Sequence, residues 1–114
     1  MRKHFTKSIH SVVIKIGTSV LTKDGRFDKK IVGELTAQIS GFLKKGIRVS
    51  MVSSGAIGAG MTILKFKRRP TTMEGLQGAA AVGQRYLMQC YEEAFSGRGF
   101  SVSIWDRLAC SFLL

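Results

Sequence analysis

The feature that most limits what this chain can fold into is a β-branched run, Ser11-Val12-Val13-Ile14-Lys15-Ile16, cut off by Gly17 and followed by a helical pattern and a second such run. Apolar residues fall on both parities of the first run, which suits a strand covered on both faces, as in parallel sheets. Asp28 is placed to cap the helix that follows, with Phe27 and Val32 forming a hydrophobic staple across its first turn. Ile31, Val32, Leu35, Ile39, Phe42 and Leu43 recur at helical spacing. Lys44 and Lys45 then sit at the negative end of the helix dipole, and Gly46 supplies a left-handed stop. Ile47 to Val52 reads as the second strand. Two strands separated by one helix make a right-handed βαβ unit, so the sheet is expected to be parallel.

Thirteen glycines against one proline indicate tight turns and close backbone approaches rather than flexible linkers. An Asp-Gly turn falls at 24 and 25. Ser53 to Gly60 forms a small-residue turn into a short helix reaching about Leu64, and Lys65 to Pro70 is a basic connection. Thr71 and Glu74 have the spacing of a capping box. The helix it opens has an apolar face of Leu76, Ala79, Ala80, Leu87, Cys90, Tyr91, Ala94 and Phe95, with Gly83 on the same face where a neighbour can pack closely. Gly97 and Gly99 end that helix, and Phe100 to Ile104 reads as a third strand. Trp105, Leu108, Ala109, Phe112 and Leu113 repeat with one-faced helical spacing, which predicts a short amphipathic helix over 105–114.

Composition excludes several classes. A chain of 114 residues, 45% hydrophobic and 22% charged, fits one soluble globular domain and not a collagenous, mucin-like or disordered one. Its 18 Lys and Arg against 7 Asp and Glu favour anionic ligands. Cys90 and Cys110 lie in runs that read as helical, and neither has a Cys or His at ligand spacing, which argues against zinc and for a reducing compartment. The apolar stretch Val12 to Ile14 is too short for a signal-peptide core, and no run reaches the roughly 18 apolar residues of a membrane span. A cytoplasmic location is the expectation.

Two constellations carry chemistry. Lys15-Ile16-Gly17-Thr18-Ser19 places a cation, a bare backbone and two hydroxyls at the carboxyl end of a strand, where α/β sheets gather ligands. Lysine offers a point charge to a phosphate, and glycine lets a backbone amide come close. The bland alternative is a lysine reaching solvent from a strand end. Ser54-Gly55-Ala56 to Gly60 sits at the next strand end and opens a helix, whose unpaired N–H groups and dipole favour an anion. Small residues there would equally serve close helix packing. Neither GxxxxGK[ST] nor GxGxxG is present, and Ser53 and Ser54 lack the Gly-x-Ser-x-Gly frame of a hydrolase nucleophile. His4 and His10 read as tail residues, Cys90 as core, and Lys65 to Arg69 as a solvated charge run.

Taken in order, VVIKIGTSVLT, VSSGAIGAG and LQGAAAVGQ, with Leu87-Met88 and Tyr91 after them, resemble the N-terminal half of an amino acid kinase over about residues 11–102. The resemblance implies an α/β fold, a three-layer αβα sandwich with a mainly parallel sheet, incomplete at this length. It assigns 1–10 to an N-terminal tail, 11–104 to the N-terminal half of the kinase domain and 105–114 to a divergent tail. It implies ATP-dependent phosphorylation of the γ-carboxylate of L-glutamate to glutamyl 5-phosphate in proline biosynthesis. Lys15 would then be the catalytic lysine, and Lys15, Gly17, Thr18 and Ser19 would bind ATP, with Mg2+ carried by the nucleotide. Ser54, Gly55 and Ala56 would hold L-glutamate. The family's later segments, which carry a second lysine and the adenine pocket, lie beyond what this sequence matches, so the chain alone is expected to be inactive. A homo-oligomer is expected, with neither membrane nor nucleic acid as a partner. The other reading left open is a non-catalytic module associating through an exposed sheet edge.

Overall fold

The computed structural model describes residues 10–24, 26–106 and 109–113, from residue 103 onward as backbone alone. The readings of residues 1–9, including His4, and of Gly25 lie outside the described residues. β1 (Ser11–Ile16) runs into a 3₁₀ turn (Thr18–Leu21), and the short strands β2 (Thr22–Lys23) and β3 (Arg26–Phe27) pair antiparallel. Asp24 between them has φ 54°, the left-handed conformation expected of this turn. Then follow α1 (Lys29–Lys44), β4 (Arg48–Ser53), α2 (Ala56–Ile63), α3 (Met73–Ser96), β5 (Ser101–Asp106) and β6 (Ala109–Leu113).

β1 and β4 pair in parallel, from Ser11 opposite Arg48 to Ile16 opposite Ser53. The sheet order is β1-β4-β6-β5, and β6 is antiparallel to both its neighbours. β1, β4 and β5 therefore share one direction, the mainly parallel α/β arrangement anticipated. The expected helix over 105–114 is not formed: Asp106 closes β5 and Ala109–Leu113, with Cys110, form β6. A strand between β4 and β5 gains ladder hydrogen bonds on both sides, whereas ten helical residues cannot hold themselves without a docking surface.

The local signals act as read at the helix ends. The Asp28 side chain accepts from the Lys30 N–H at 3.0 Å, and Phe27 and Val32 are both in the core. Gly46, at φ 80°, closes α1, with its N–H on the Leu43 carbonyl at 3.0 Å and the Ile47 N–H on Phe42 at 3.2 Å. The cap of α3 falls one residue later than the Thr71–Glu74 box: Thr72 Oγ1 accepts from the Gly75 N–H at 3.1 Å. With two threonines in succession, the second takes the cap, and Glu74 is left in the first turn with only its charge to contribute.

Burial corrects two faces. Phe42 is 40% exposed, and Thr36 and Ser40 are buried on α1 in its place, donating to the carbonyls of Val32 and Thr36 at 2.6 and 2.7 Å. These hydroxyls satisfy themselves within the helix, so they enter the core at little cost. β1 is not covered on both faces. Val12, Ile14 and Ile16 turn inward while Ser11, Val13 and Lys15 are exposed, and Val49, Met51 and Ser53 are the buried parity of β4. Ile16, Val49 and Met51 share one core with Val32, Ile39 and Leu43 of α1 and Leu87, Tyr91 and Phe95 of α3. Both long helices thus pack on one face, and the described residues supply two layers of the sandwich.

α2 and α3 meet backbone to backbone. A Cβ built on Gly83 would run into the Ala56 carbonyl, and one built on Gly60 into the Ala79 carbonyl. This is the close approach that Gly83 on the apolar face implied, and it fixes the start of α2 against α3.

Candidate functional site

The carboxyl ends of β1 and β4 lie side by side, and the Ser54 N–H donates to the Ile16 carbonyl at 2.8 Å. The two segments leaving the sheet are thereby tied where they part. Leu21, fully buried at the end of the 3₁₀ turn, packs under Gly55, where an added Cβ would come within 3.3 Å of its Cδ1. Gly55 has φ 101°, a conformation that disfavours any side chain, and it caps α2 without a side-chain hydrogen bond. The first N–H groups of α2 consequently have no partner from the cap or from within the helix.

A cleft of about 570 Å³ opens at this junction. Thr18 and Thr22 line one side, Ser54, Gly55, Ala56 and Gly58 the start of α2, and Arg69 and Ala80 contribute from the connection and from α3. None of the described lining residues is acidic. The site offers hydroxyls, unpaired amides and a guanidinium, which is a chemistry for anions.

The eight-residue segment Ser53 to Gly60 divides its labour. Ser53 is buried, its Oγ bonding the Ser54 carbonyl at 3.1 Å and the Tyr91 hydroxyl at 3.1 Å. Gly55 makes the turn, Gly58 borders the cleft, and Ala59 and Gly60 are buried against α3. Tyr91→Phe should remove the bond that holds the Ser53–Ser54 turn to α3 and cost about 1 kcal/mol in urea unfolding. An unchanged midpoint would show that the Tyr91 bond adds nothing to the Ser53 hydroxyl's own bond to the Ser54 carbonyl in holding the turn.

Of the residues singled out from sequence, Thr18, Ser54, Gly55 and Ala56 come together in the cleft, while Lys15, Gly17 and Ser19 do not line it. Strand alternation puts Lys15 on the open face, opposite in parity to Ile16 and paired with Val52. Gly17 has an ordinary extended backbone, φ −78° and ψ 162°, and a Cβ built on it meets nothing within 4 Å. Neither conformation nor packing requires glycine there, and the space before it is open. Sequence reasoning passed over Thr22 and Met61, and it read Ser53 as part of the small-residue turn, Ala80 as helix core and Arg69 as part of a solvated charge run. Arg69 was hidden in a charge run whose neighbours Lys65, Lys67 and Arg68 are all exposed and outside the cleft.

Cys90 is buried, as read, and burial pushes its thiol up, with the Tyr86 hydroxyl beside it partly offsetting that shift. Among the described residues no cluster of His, Cys, Asp or Glu has the makings of a metal site, and no helix is long and apolar enough to cross a membrane.

The sequence pattern of the amino acid kinase family matches residues 11–112, extending into the stretch read as a divergent tail. With nearly all of the described fold inside that match, the chain belongs to the amino acid kinase family. Within it, the chain is similar to glutamate 5-kinases. That of Chromohalobacter salexigens is 49% identical over 89 residues, 77% of this chain and 24% of that protein. That of Citrifermentans bemidjiense is 44% identical over 104 residues, 90% of this chain and 28% of the relative. That of Teredinibacter turnerae is 50% identical over 84 residues, 73% and 22% respectively. The chain spans about a quarter of the length of these relatives.

Proposed function

We propose that this chain supplies the acceptor site and part of the phosphate site of a glutamate 5-kinase, an enzyme that transfers a phosphoryl group from ATP to the γ-carboxylate of L-glutamate. The observation that carries the reading is the cleft without acidic side chains among its described lining residues, where Thr18 of the turn after β1 and Ser54, Gly55 and Ala56 at the start of α2 border the same space. A carboxylate is already a nucleophile at neutral pH, so such a site needs no general base. Its difficulty is bringing one anion against another, and oriented N–H groups, hydroxyls and cations reduce that repulsion.

Ser54 is exposed at the cleft and its N–H is spent on Ile16, which leaves its hydroxyl for the substrate. The amides of Ala56 and the residues after it orient the carboxylate. The open space before Gly17 and the hydroxyls of Thr18 and Ser19 fit an approaching triphosphate, and Lys15 stands at the same end of the sheet. When bound, MgATP supplies the phosphoryl group and the divalent charge. A cytoplasmic site of action in amino-acid synthesis agrees with this reading.

In a full-length kinase carrying this segment, Ser54→Ala should raise the KM for glutamate about tenfold, the scale of one charge-assisted hydrogen bond, with kcat and the KM for ATP little changed. Steady-state kinetics with glutamate and ATP varied separately would measure this. An unchanged glutamate KM would remove Ser54 from the acceptor site.

A further inference from the structure

We infer that Arg69 is a substrate-binding residue whose guanidinium takes a carboxylate of the acceptor in the cleft at the start of α2; this rests on the reading of that cleft as the acceptor site. Arg69 borders the same space as Ser54, Gly55, Ala56 and Gly58. It has no ion pair among the described residues, whose one salt bridge joins Lys29 to Glu93. Its neighbours Lys65, Lys67 and Arg68 border no part of the cleft, so only one cation of the basic run is brought to it.

The chemistry favours a carboxylate over a phosphate. Lys15, Gly17 and Ser19 are absent from the lining, and most of the wall comes from Ser53 through Met61. The group that Arg69 meets is therefore the one held by the start of α2. A planar guanidinium matches the two oxygens of a carboxylate, and the helix amides bordering the same cleft add to the donors around it. No acidic side chain is among the described lining residues, so none there offers an ammonium a full countercharge. Glutarate, which keeps both carboxylates of glutamate and lacks the ammonium, is thus the appropriate probe.

The test is a titration of the 114-residue chain with glutarate and, separately, with ATP, followed through the backbone amide shifts of Gly55, Ala56, Ile57 and Gly58. Glutarate should shift these amides in the parent chain, and Arg69→Gln should weaken its apparent affinity about tenfold. Arg69→Lys should recover part of the loss, because the charge returns without the fork. ATP affinity should change less than about twofold in Arg69→Gln, as should glutarate affinity in Lys67→Gln, which removes an equal charge from the same connection. Arg69 is exposed, so the remaining amide spectrum should superimpose on the parent's.

Undiminished glutarate affinity in Arg69→Gln would overturn the inference while leaving the acceptor reading intact. An equal loss in Lys67→Gln would reduce the effect to a general field, and a loss confined to ATP would move Arg69 to the phosphate side; either overturns it. Absence of any glutarate response at Gly55 to Gly58 in the parent chain would end the acceptor reading and this inference with it.

Discussion

Gly83→Ala should destabilise the fold by about 3 kcal/mol, the upper part of the range for overpacking. Most overpacked sites relieve themselves by rotating a side chain. Here the atoms in the way are the Ala56 carbonyl and the Gly60 nitrogen, both backbone and both part of α2. One methyl therefore requires a whole helix to move. Because Ala56 opens α2 at the cleft, the movement should also carry its N-terminal amides out of the site, so anion binding should weaken along with stability. Gly78→Ala on the same helix provides the contrast. Gly78 is exposed and its added Cβ meets nothing within 4 Å, so that change should stabilise by roughly 0.5–1 kcal/mol through helix propensity alone. Urea denaturation of both variants measures the difference. Equal midpoints for Gly83→Ala and the parent would mean that the two helices do not cross as closely as described.

Lys15→Ala should lower kcat by roughly 10²–10³ in a full-length kinase carrying this segment, with much smaller changes in either KM. The direction follows from when charge appears: a lysine near the transferring group gains most as charge spreads over the phosphoryl oxygens, so its loss is felt in the transition state more than in the bound ground state. Lys15 is exposed on the open face of β1 and contributes no core packing. Its removal should consequently leave the melting temperature within error of the parent, which separates a catalytic loss from a folding one. A large rise in the KM for ATP at constant kcat would make Lys15 an ordinary binding residue. No change at all would leave it as a lysine reaching solvent from a strand end, the bland reading its sequence also allows.

How much of this was legible beforehand depends on the range of the interactions involved. The Asp28 cap, the Asp24 turn and the Gly46 stop depend on neighbours within a few residues, so each could be read from spacing and residue type, and the parallel β1–β4 pairing followed from the order strand, helix, strand. The same holds for the presence of Gly83 on an apolar helix face, though not for the Ala56 carbonyl that makes glycine necessary there.

What only the tertiary structure decided are the outcomes in which distant segments compete for the same space. Residues 109–113 carry a helical spacing, yet they form β6 because β4 and β5 offer unpaired backbone on both sides. The β-branched run of β1 suits two covered faces, yet both long helices pack on one, and Lys15 is exposed on the other. Arg69 is one cation among four in five residues, indistinguishable by composition, and it borders the cleft because the connection between α2 and α3 must return across the start of α2 once Gly60 and Gly83 have locked the two helices together. By itself the sequence determined β1, β4, β5, the three helices and the family to which they belong, since those follow from local conformational preference and from order along the chain. Which side chains share a cleft was decided by packing, because hydrophobic burial is non-directional and only the assembled backbone chooses among the partners it permits.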